Sequence, residues 1–364
     1  MFSNPVRRVL AAGLVLGAAA LVALGCGGDS GGGGPKIGFL LPENSTPRYE
    51  AADKPYFEDE VKKICSDCEI LYQNAGEKVN EQQSQAESVL TQGADVLVVD
   101  PVDATSSAAI AAKAKAQNVP VISYDRLILN SPDVDYLVGF DNIKVGELQG
   151  STLADALKAN GKASGPVIQL NGDPADNNAK GFAQGATNAF KQAGVTVAKT
   201  YDTPAWDASK AQTEAQQALT ALGKNGVAGV LAANDDLGGG AIAALKNAGL
   251  NPADVPVTGQ DSTVAGVQRI LAGQQLMTIY KAIQPEAKAA AQLAVALAKG
   301  DKPPAGLVNG KTNNLETEVP SITFDPVAVT KDNVKKEVID SGFLKASEVC
   351  TAQYAAACKK AGIS

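Results

Sequence analysis

From Lys36 onward, short apolar runs rich in β-branched residues alternate with stretches of helical period, and this alternation constrains the 364-residue chain more than any other feature. Lys36–Leu41 reads as a strand, 55–64 as a helix, 69–73 as a strand, 81–92 as a helix and 95–99 as a strand. A helix over 104–116, strands over 119–124 and 135–140, and a long helix over 143–159 follow, before the pattern restarts with a strand at 166–170. Strands separated by helices of this length form βαβ units, so the spacing predicts an α/β fold with parallel sheets covered on both faces.

The second half repeats the first. Gly93-Ala-Asp-Val-Leu-Val-Val-Asp100 has a counterpart in Gly226-Val-Ala-Gly-Val-Leu-Ala-Ala-Asn234, and Val119-Pro-Val-Ile-Ser-Tyr-Asp125 in Val255-Pro-Val-Thr-Gly-Gln-Asp261. In each copy the strand ends in a carboxylate or carboxamide. Open α/β sheets bind ligands beyond the carboxyl ends of their strands. Two such sheets facing one another would surround one cleft with two sets of polar strand ends.

Composition narrows the chemistry. The chain contains no histidine, which removes Ser-His-Asp and Cys-His catalysis, an imidazole base and every His-containing metal site. With 32 Lys plus Arg against 39 Asp plus Glu, it lacks the basic footprint that nucleic-acid binding needs. No cofactor or metal is expected. Ala305-Gly-Leu-Val-Asn-Gly-Lys-Thr312 fits a relaxed phosphate-loop pattern, but neither a strand before it nor a helix after it is expected. Gly238-Gly-Gly-Ala-Ile-Ala243 mimics a dinucleotide fingerprint, yet Asp235 and Asp236 beside it would repel a pyrophosphate. Acidic residues at a helix N-terminus are the simpler account.

Residues 1–25 have the outline of a signal peptide: Arg7 and Arg8, an apolar run from Val9 to Leu24, and no acid before Asp29. As a membrane span the run is short of the ~20 residues required and ends in glycines. Ala23-Leu24-Gly25-Cys26 resembles the bacterial lipobox, with Ala23 where Leu is preferred, which implies diacylation of Cys26. Glycine-rich residues 26–35 then form a tether with a reach of about 15 Å. Cleavage would leave 30 basic against 39 acidic groups, a charge of −9. The remaining cysteines fall in two close pairs, Cys65 with Cys68 and Cys350 with Cys358. In an oxidising compartment local disulfides are the simplest reading, with a redox pair or a metal site as the alternatives.

Six motifs carry a more specific signal, in order and with matching spacing. They are Tyr124-Asp125-Arg126, the run from Phe140 to Gln149, the run from Pro174 to Lys180, Asn234-Asp235 with 238–245, Gly259-Gln-Asp261, and Met277-Thr-Ile-Tyr-Lys281. Through them the chain closely resembles the D-xylose-binding family of bacterial ABC sugar importers from Lys36 to about Leu344. The resemblance implies a type I periplasmic-binding fold: two doubly wound parallel-sheet lobes joined by a three-crossover hinge. One lobe would comprise 36–141 with 282–320, and the other 142–281 with 321–364. It implies sugar contacts from Arg48, Asp125, Arg126, Asp176, Asn178, Trp206, Asn234, Asp261 and Lys281, with Tyr49 standing where the family often has Trp. The implied protein is a monomeric, exported, lipid-anchored receptor and not an enzyme. It would close on a neutral aldopyranose, D-xylose or a relative, and deliver it to an ABC permease and its ATPase. A sugar sensor presenting ligand to a membrane kinase, and a sugar-processing enzyme, are the alternatives.

The residues support a sugar site on their own chemistry. A pyranose offers an apolar ring face and hydroxyls that both donate and accept. Aromatic rings can cover the face, while Asp accepts, Arg and Lys donate, and Asn does both. Arg48, Arg126 and Lys281 balance Asp125, Asp176 and Asp261, which suits an uncharged ligand.

Overall fold

The computed structural model describes residues 33–223 and 226–363, so the signal segment and Cys26 lie outside the described residues. The elements of the first half are β1 (Lys36–Leu41), α1 (Lys54–Ile64), β2 (Glu69–Asn74), α2 (Val79–Thr91), β3 (Val96–Val99), α3 (Ala108–Ala116), β4 (Val121–Tyr124) and β5 (Tyr136–Phe140). The second half has α4 (Asn142–Ala159), β6 (Val167–Asn171), α5 (Asn177–Ala193), β7 (Val197–Asp202), α6 (Ala208–Leu222), β8 (Gly229–Ala232), α7 (Asp235–Asn247), α8 (Val264–Leu271) and β9 (Met277–Tyr280). The chain then forms α9 (Ile283–Ala298), β10 (Gly310–Asn313), β11 (Glu318–Phe324), β12 (Val327–Thr330), α10 (Ala346–Val349) and α11 (Ala355–Lys360).

In the first lobe the strand order is β10-β11-β5-β4-β3-β1-β2, parallel except for β10. Strands β3 and β4 are buried along their whole length, as expected of a parallel sheet covered on both faces. Phe39, Phe57 and Val61 pack with Leu293 and Ala294 on the face covered by α1 and α9. Leu40, Leu97 and Val99 pack with Val89, Leu90 and Ile110 on the face covered by α2 and α3.

The second lobe reuses this plan. Its order β7-β6-β8 is extended by Val257, which bridges to Val230. Leu276 N–H then bonds the Val257 carbonyl at 2.8 Å, leading to β9 and antiparallel β12. The internal repeat is therefore spatial: β8 takes the place of β3, and the segment around Val257 that of β4. Helices α4 and α5 pack very closely, because a Cβ at Gly146 would lie 1.9 Å from the Phe182 carbonyl oxygen and one at Gly185 2.0 Å from that of Ile143. Gly240 serves the same purpose inside α7, where a Cβ would stand 2.3 Å from the Ala208 carbonyl oxygen. The dinucleotide-like run is thus the packing face of a helix. The phosphate-loop lookalike ends in edge strand β10, which leads to the neighbouring β11 and not to a helix.

The chain passes between lobes at Asp141, at Lys281–Ala282 and at Asp325–Pro326. The third passage corrects the boundary expected after residue 320. Strand β11 stays in the first sheet up to Phe324, paired with Phe140, because its parallel register with β5 continues to the end of both strands. A second correction concerns α3, which starts at Ala108 and not at 104. The Asp103 carboxylate accepts the N–H groups of Thr105 and Ser106 and holds that stretch as a turn. The tail after β12 packs on Val267 and Leu271 of α8, and Gln268 Nε2 donates to the Val349 carbonyl at 3.0 Å. Disulfides join Cys65 to Cys68, directly after α1, and Cys350 to Cys358 in the tail. Among the described residues no helix is long and apolar enough to cross a membrane.

Candidate functional site

The two lobes meet where their strands end. Asp125 follows β4, and Asp261 ends the equivalent segment of the second lobe. Both adopt left-handed backbone, φ +52° and +86°, a strained conformation for residues other than glycine that concentrates at functional positions. Each is pinned by the same bond in its own lobe: Asp125 N–H to the Val138 carbonyl at 2.8 Å, and Asp261 N–H to the Ile279 carbonyl at 2.9 Å.

Asp125 is the hub. Arg48 Nη1 lies 2.6 Å and Lys281 Nζ 3.2 Å from its Oδ2, while Asn178 Nδ2 donates to Oδ1 at 2.6 Å. It thereby links the first lobe, the hinge and the second lobe. Arg126 makes the other crossing, with Nε 3.1 Å from Asp176 Oδ2 and Nη2 donating to the Tyr49 hydroxyl at 3.1 Å. Tyr49 thus uses a phenolic oxygen to position Arg126, which an indole in its place could not do. Asp176 and Asn234 also cap α5 and α7, accepting the N–H groups of Asn178 and Leu237. Lys281 is buried.

These residues line an inter-lobe space that, with its open mouth, holds about 290 Å³ and to which all ten candidates contribute: Arg48, Tyr49, Asp125, Arg126, Asp176, Asn178, Trp206, Asn234, Asp261 and Lys281. Thr46, Phe182 and Gln260 complete the wall. Gln260 sits inside a motif already singled out, and Phe182 lies one helical turn beyond Asn178 on α5, so both were within reach of sequence reasoning. The Trp206 and Phe182 rings meet at 60° with centroids 6.4 Å apart. Trp206 fits only because residue 172 is glycine, where a Cβ would fall 2.0 Å from the indole. Four buried polar atoms on this wall, Arg126 Nε, Trp206 Nε1, Gln260 Oε1 and Asp261 Oδ1, have no protein hydrogen-bond partner, although Arg126 Nε has its ion-pair contact with Asp176. Leaving such groups unpaired is costly, so they mark where ligand hydroxyls would bond.

The charge balance read from the sequence needs correction. Behind the wall stand three further buried acids: Asp53, forked to Arg48 at 3.0 and 2.6 Å; Glu286, 3.4 Å from Arg48; and Asp100, 3.5 Å from Arg126. Burial pushes the carboxyls of Asp100 and Glu286 well up, against the pull of Arg126 and Arg48, and so favours their neutral forms. Burial also raises Asp176 and Asp261, opposed chiefly by Arg126 and Lys281 respectively. Asp125 goes the other way. Burial would lift it, but Arg48, Lys281 and Arg126 outweigh that and hold it far below the usual carboxylate range. Every cation is already matched by acids, so the cavity has no spare positive charge for an anionic ligand. Among the described residues no group of three or more Cys, Asp or Glu is arranged to hold a metal ion.

Asp235, next to Asn234, accepts Thr263 N–H at 2.8 Å, Thr263 Oγ1–H at 3.0 Å and Gln275 Nε2–H at 2.7 Å, bracing the loop that carries Asp261. Burial raises it to about 7, and Glu77 likewise to about 7. The unfolded chain releases these protons near pH 4. Between there and pH 7 the folded state binds more protons, so stability falls as pH rises. The melting temperature of ligand-free protein should be higher at pH 5.5 than at pH 8, and Asp235→Asn should flatten that slope. A melting temperature that rises from pH 5.5 to pH 8 would contradict this assignment.

Two lobes of repeated topology, three crossovers and a polar cavity at the facing strand ends define a hinged binding protein of the periplasmic type. Residues 37–302 match the periplasmic binding protein domain family. The chain is 36% identical to the D-xylose-binding periplasmic protein of Escherichia coli K12, over 86% of this chain and 92% of that one. It is 32% identical to a multiple sugar-binding periplasmic receptor of Rhizobium radiobacter, over 93% and 98%. A carbohydrate-transporter solute-binding protein from Chloroflexus aurantiacus, solved with D-glucose, superposes with a TM-score of 0.76 at 31% identity, covering 86% of this chain and 97% of that one. The chain belongs to the type I periplasmic sugar-binding protein family, in which D-xylose-binding proteins are among its relatives.

Proposed function

We propose that this protein is the sugar-capturing component of an ABC importer. It binds a neutral aldopyranose, D-xylose or a close relative, in the inter-lobe cavity and presents it to a membrane permease driven by an ATPase. The observation that carries this reading is the wall itself: carboxylates, carboxamides, cations and three aromatic rings from both lobes converge on one small space without spare positive charge. Relatives named for D-xylose and a neighbour solved with D-glucose support the same class of ligand. A ligand touching both lobes favours the closed arrangement in which both sets reach it, which gives the permease a liganded shape to recognise. We read residues 1–25 as a signal peptide and Cys26 as the acylated anchor. The anchor is checked by the mass of the mature N-terminus and by release of a Cys26→Ser variant from membranes.

The reading takes the site as binding, not catalytic, so sugar should be recovered unchanged after long incubation. Several charge-assisted hydrogen bonds of roughly 1.5–3 kcal/mol each, offset by desolvation and closure, suffice for the ~8 kcal/mol of micromolar binding. Calorimetry against xylose, ribose, arabinose, glucose, galactose and fructose, with a sugar phosphate and a uronic acid as anionic controls, tests it. One or more neutral aldoses should bind at micromolar or tighter levels and the anionic sugars should not. Preferential binding of an anionic sugar, or none of any neutral one, would refute the reading.

A further inference from the structure

A second chamber adjoins the central cavity. It runs between residues 47–56 of the first lobe and 261–268 of the second, and residues 342–348 of the tail close its outer side. With its open mouth it holds about 1340 Å³, and Arg48 and Asp261 line both spaces. These two side chains make no ion pair with each other: Arg48 is engaged by Asp53, Asp125 and Glu286, and the nearest cation to Asp261 is Lys281 at 4.0 Å.

The chamber repeats the chemistry of the central wall. Tyr56 of α1 and Phe343 of the tail, which pack against the same apolar cluster, supply aromatic surface, and Thr263, Asp236 and Glu348 supply hydroxyl and carboxylate groups. Two buried oxygens of residues that line it, Ser262 Oγ and the Asp261 Oδ1 shared with the central wall, have no protein hydrogen-bond partner. The tail holds Phe343 in place: its ring packs on Tyr280 at 5.0 Å, and the Cys350–Cys358 disulfide and the Gln268 bond to Val349 fix the following residues to the second lobe.

We infer that the protein binds disaccharides as well as a free monosaccharide. One ring occupies the central cavity, and a second, joined through the carbon whose oxygen lies between Arg48 and Asp261, occupies the adjoining chamber. This rests on the central cavity being a monosaccharide site. Free hydroxyl-seeking oxygens beside aromatic surface fit a sugar ring better than an apolar partner segment, which would leave Ser262 and Asp261 unpaired.

The test is calorimetry on the mature chain with D-xylose, D-glucose, xylobiose, cellobiose and maltose. At least one disaccharide should bind within about tenfold of its parent monosaccharide. Phe343→Ala should weaken that disaccharide by about three- to tenfold, the worth of one aromatic contact, and leave the monosaccharide unchanged. Tyr56→Ala, on α1 of the first lobe and outside the tail, should show the same selective loss and guards against a variant that merely loosens the tail. Monosaccharide binding with no disaccharide binding would overturn this inference and leave the central site standing, as would equal losses for both ligands in the two variants. Binding of neither class would instead remove the reading of the central cavity.

Discussion

Asp125→Ala is expected to abolish sugar binding and to cost about 3–5 kcal/mol of folding stability, the usual penalty for removing one partner of a buried ion pair. The carboxylate is 3% exposed and is shared by Arg48, Lys281 and the Asn178 amide. Its removal leaves Lys281 with only Asp261 at 4.0 Å, beyond hydrogen-bond reach, and leaves Asn178 Nδ2 on the facing lobe with only its longer bond, 3.3 Å, to the residue 125 carbonyl. Arg48 keeps its fork to Asp53, so the damage centres on Lys281 and on the link between lobes. Asp125→Asn should recover part of the stability, because its oxygen still accepts, but not the affinity, because its charge is gone. Denaturant unfolding with calorimetry checks both. Wild-type stability and affinity in Asp125→Ala would show that the hub does not organise the cleft.

The second large effect falls on Trp206. It belongs to the core of the second lobe, packed with Phe182, Leu237 and Ile168, and also forms part of the cavity wall. Trp206→Ala should cost about 3–5 kcal/mol of stability, as large aromatic truncations in cores do. It should also weaken sugar by about 5- to 150-fold, through loss of a ring face and of the unpartnered Nε1 donor. Trp206→Phe should restore most of the stability but less of the affinity, since it returns the ring and not the N–H. Equal sugar affinity in all three proteins would move the ligand away from this wall.

The sequence made the fold legible because the repeat joined strand ends to polar residues at nearly constant offsets: Asp100 with Asn234, and Asp125 with Asp261. The same pairing pointed to Asp100, which the structure places behind Arg126. Asp53 and Glu286 carried no such signal. One precedes α1 and the other lies in the first turn of α9, and only tertiary packing brings both to Arg48. For that reason the charge balance read from the motifs was incomplete. Boundaries failed where a neighbour decided them: β5 extends β11 past residue 320, and the Asp103 side chain delays α3. Gly146 and Gly185 lie within or near recognised motifs, yet their role is helix contact, which no local pattern distinguishes from a ligand-facing glycine. The tail after Ser347 had no counterpart to read from, and its place against α8 emerges only from the disulfide and the packing.

The central claim is that a neutral monosaccharide is held between the lobes and that closure depends on it. Small-angle scattering during a titration of the mature protein with its best-binding aldose tests this most directly. The radius of gyration should fall in step with calorimetric occupancy, and Trp206→Ala should contract only at correspondingly higher sugar concentration. Full calorimetric occupancy with no change in the radius of gyration would contradict the account.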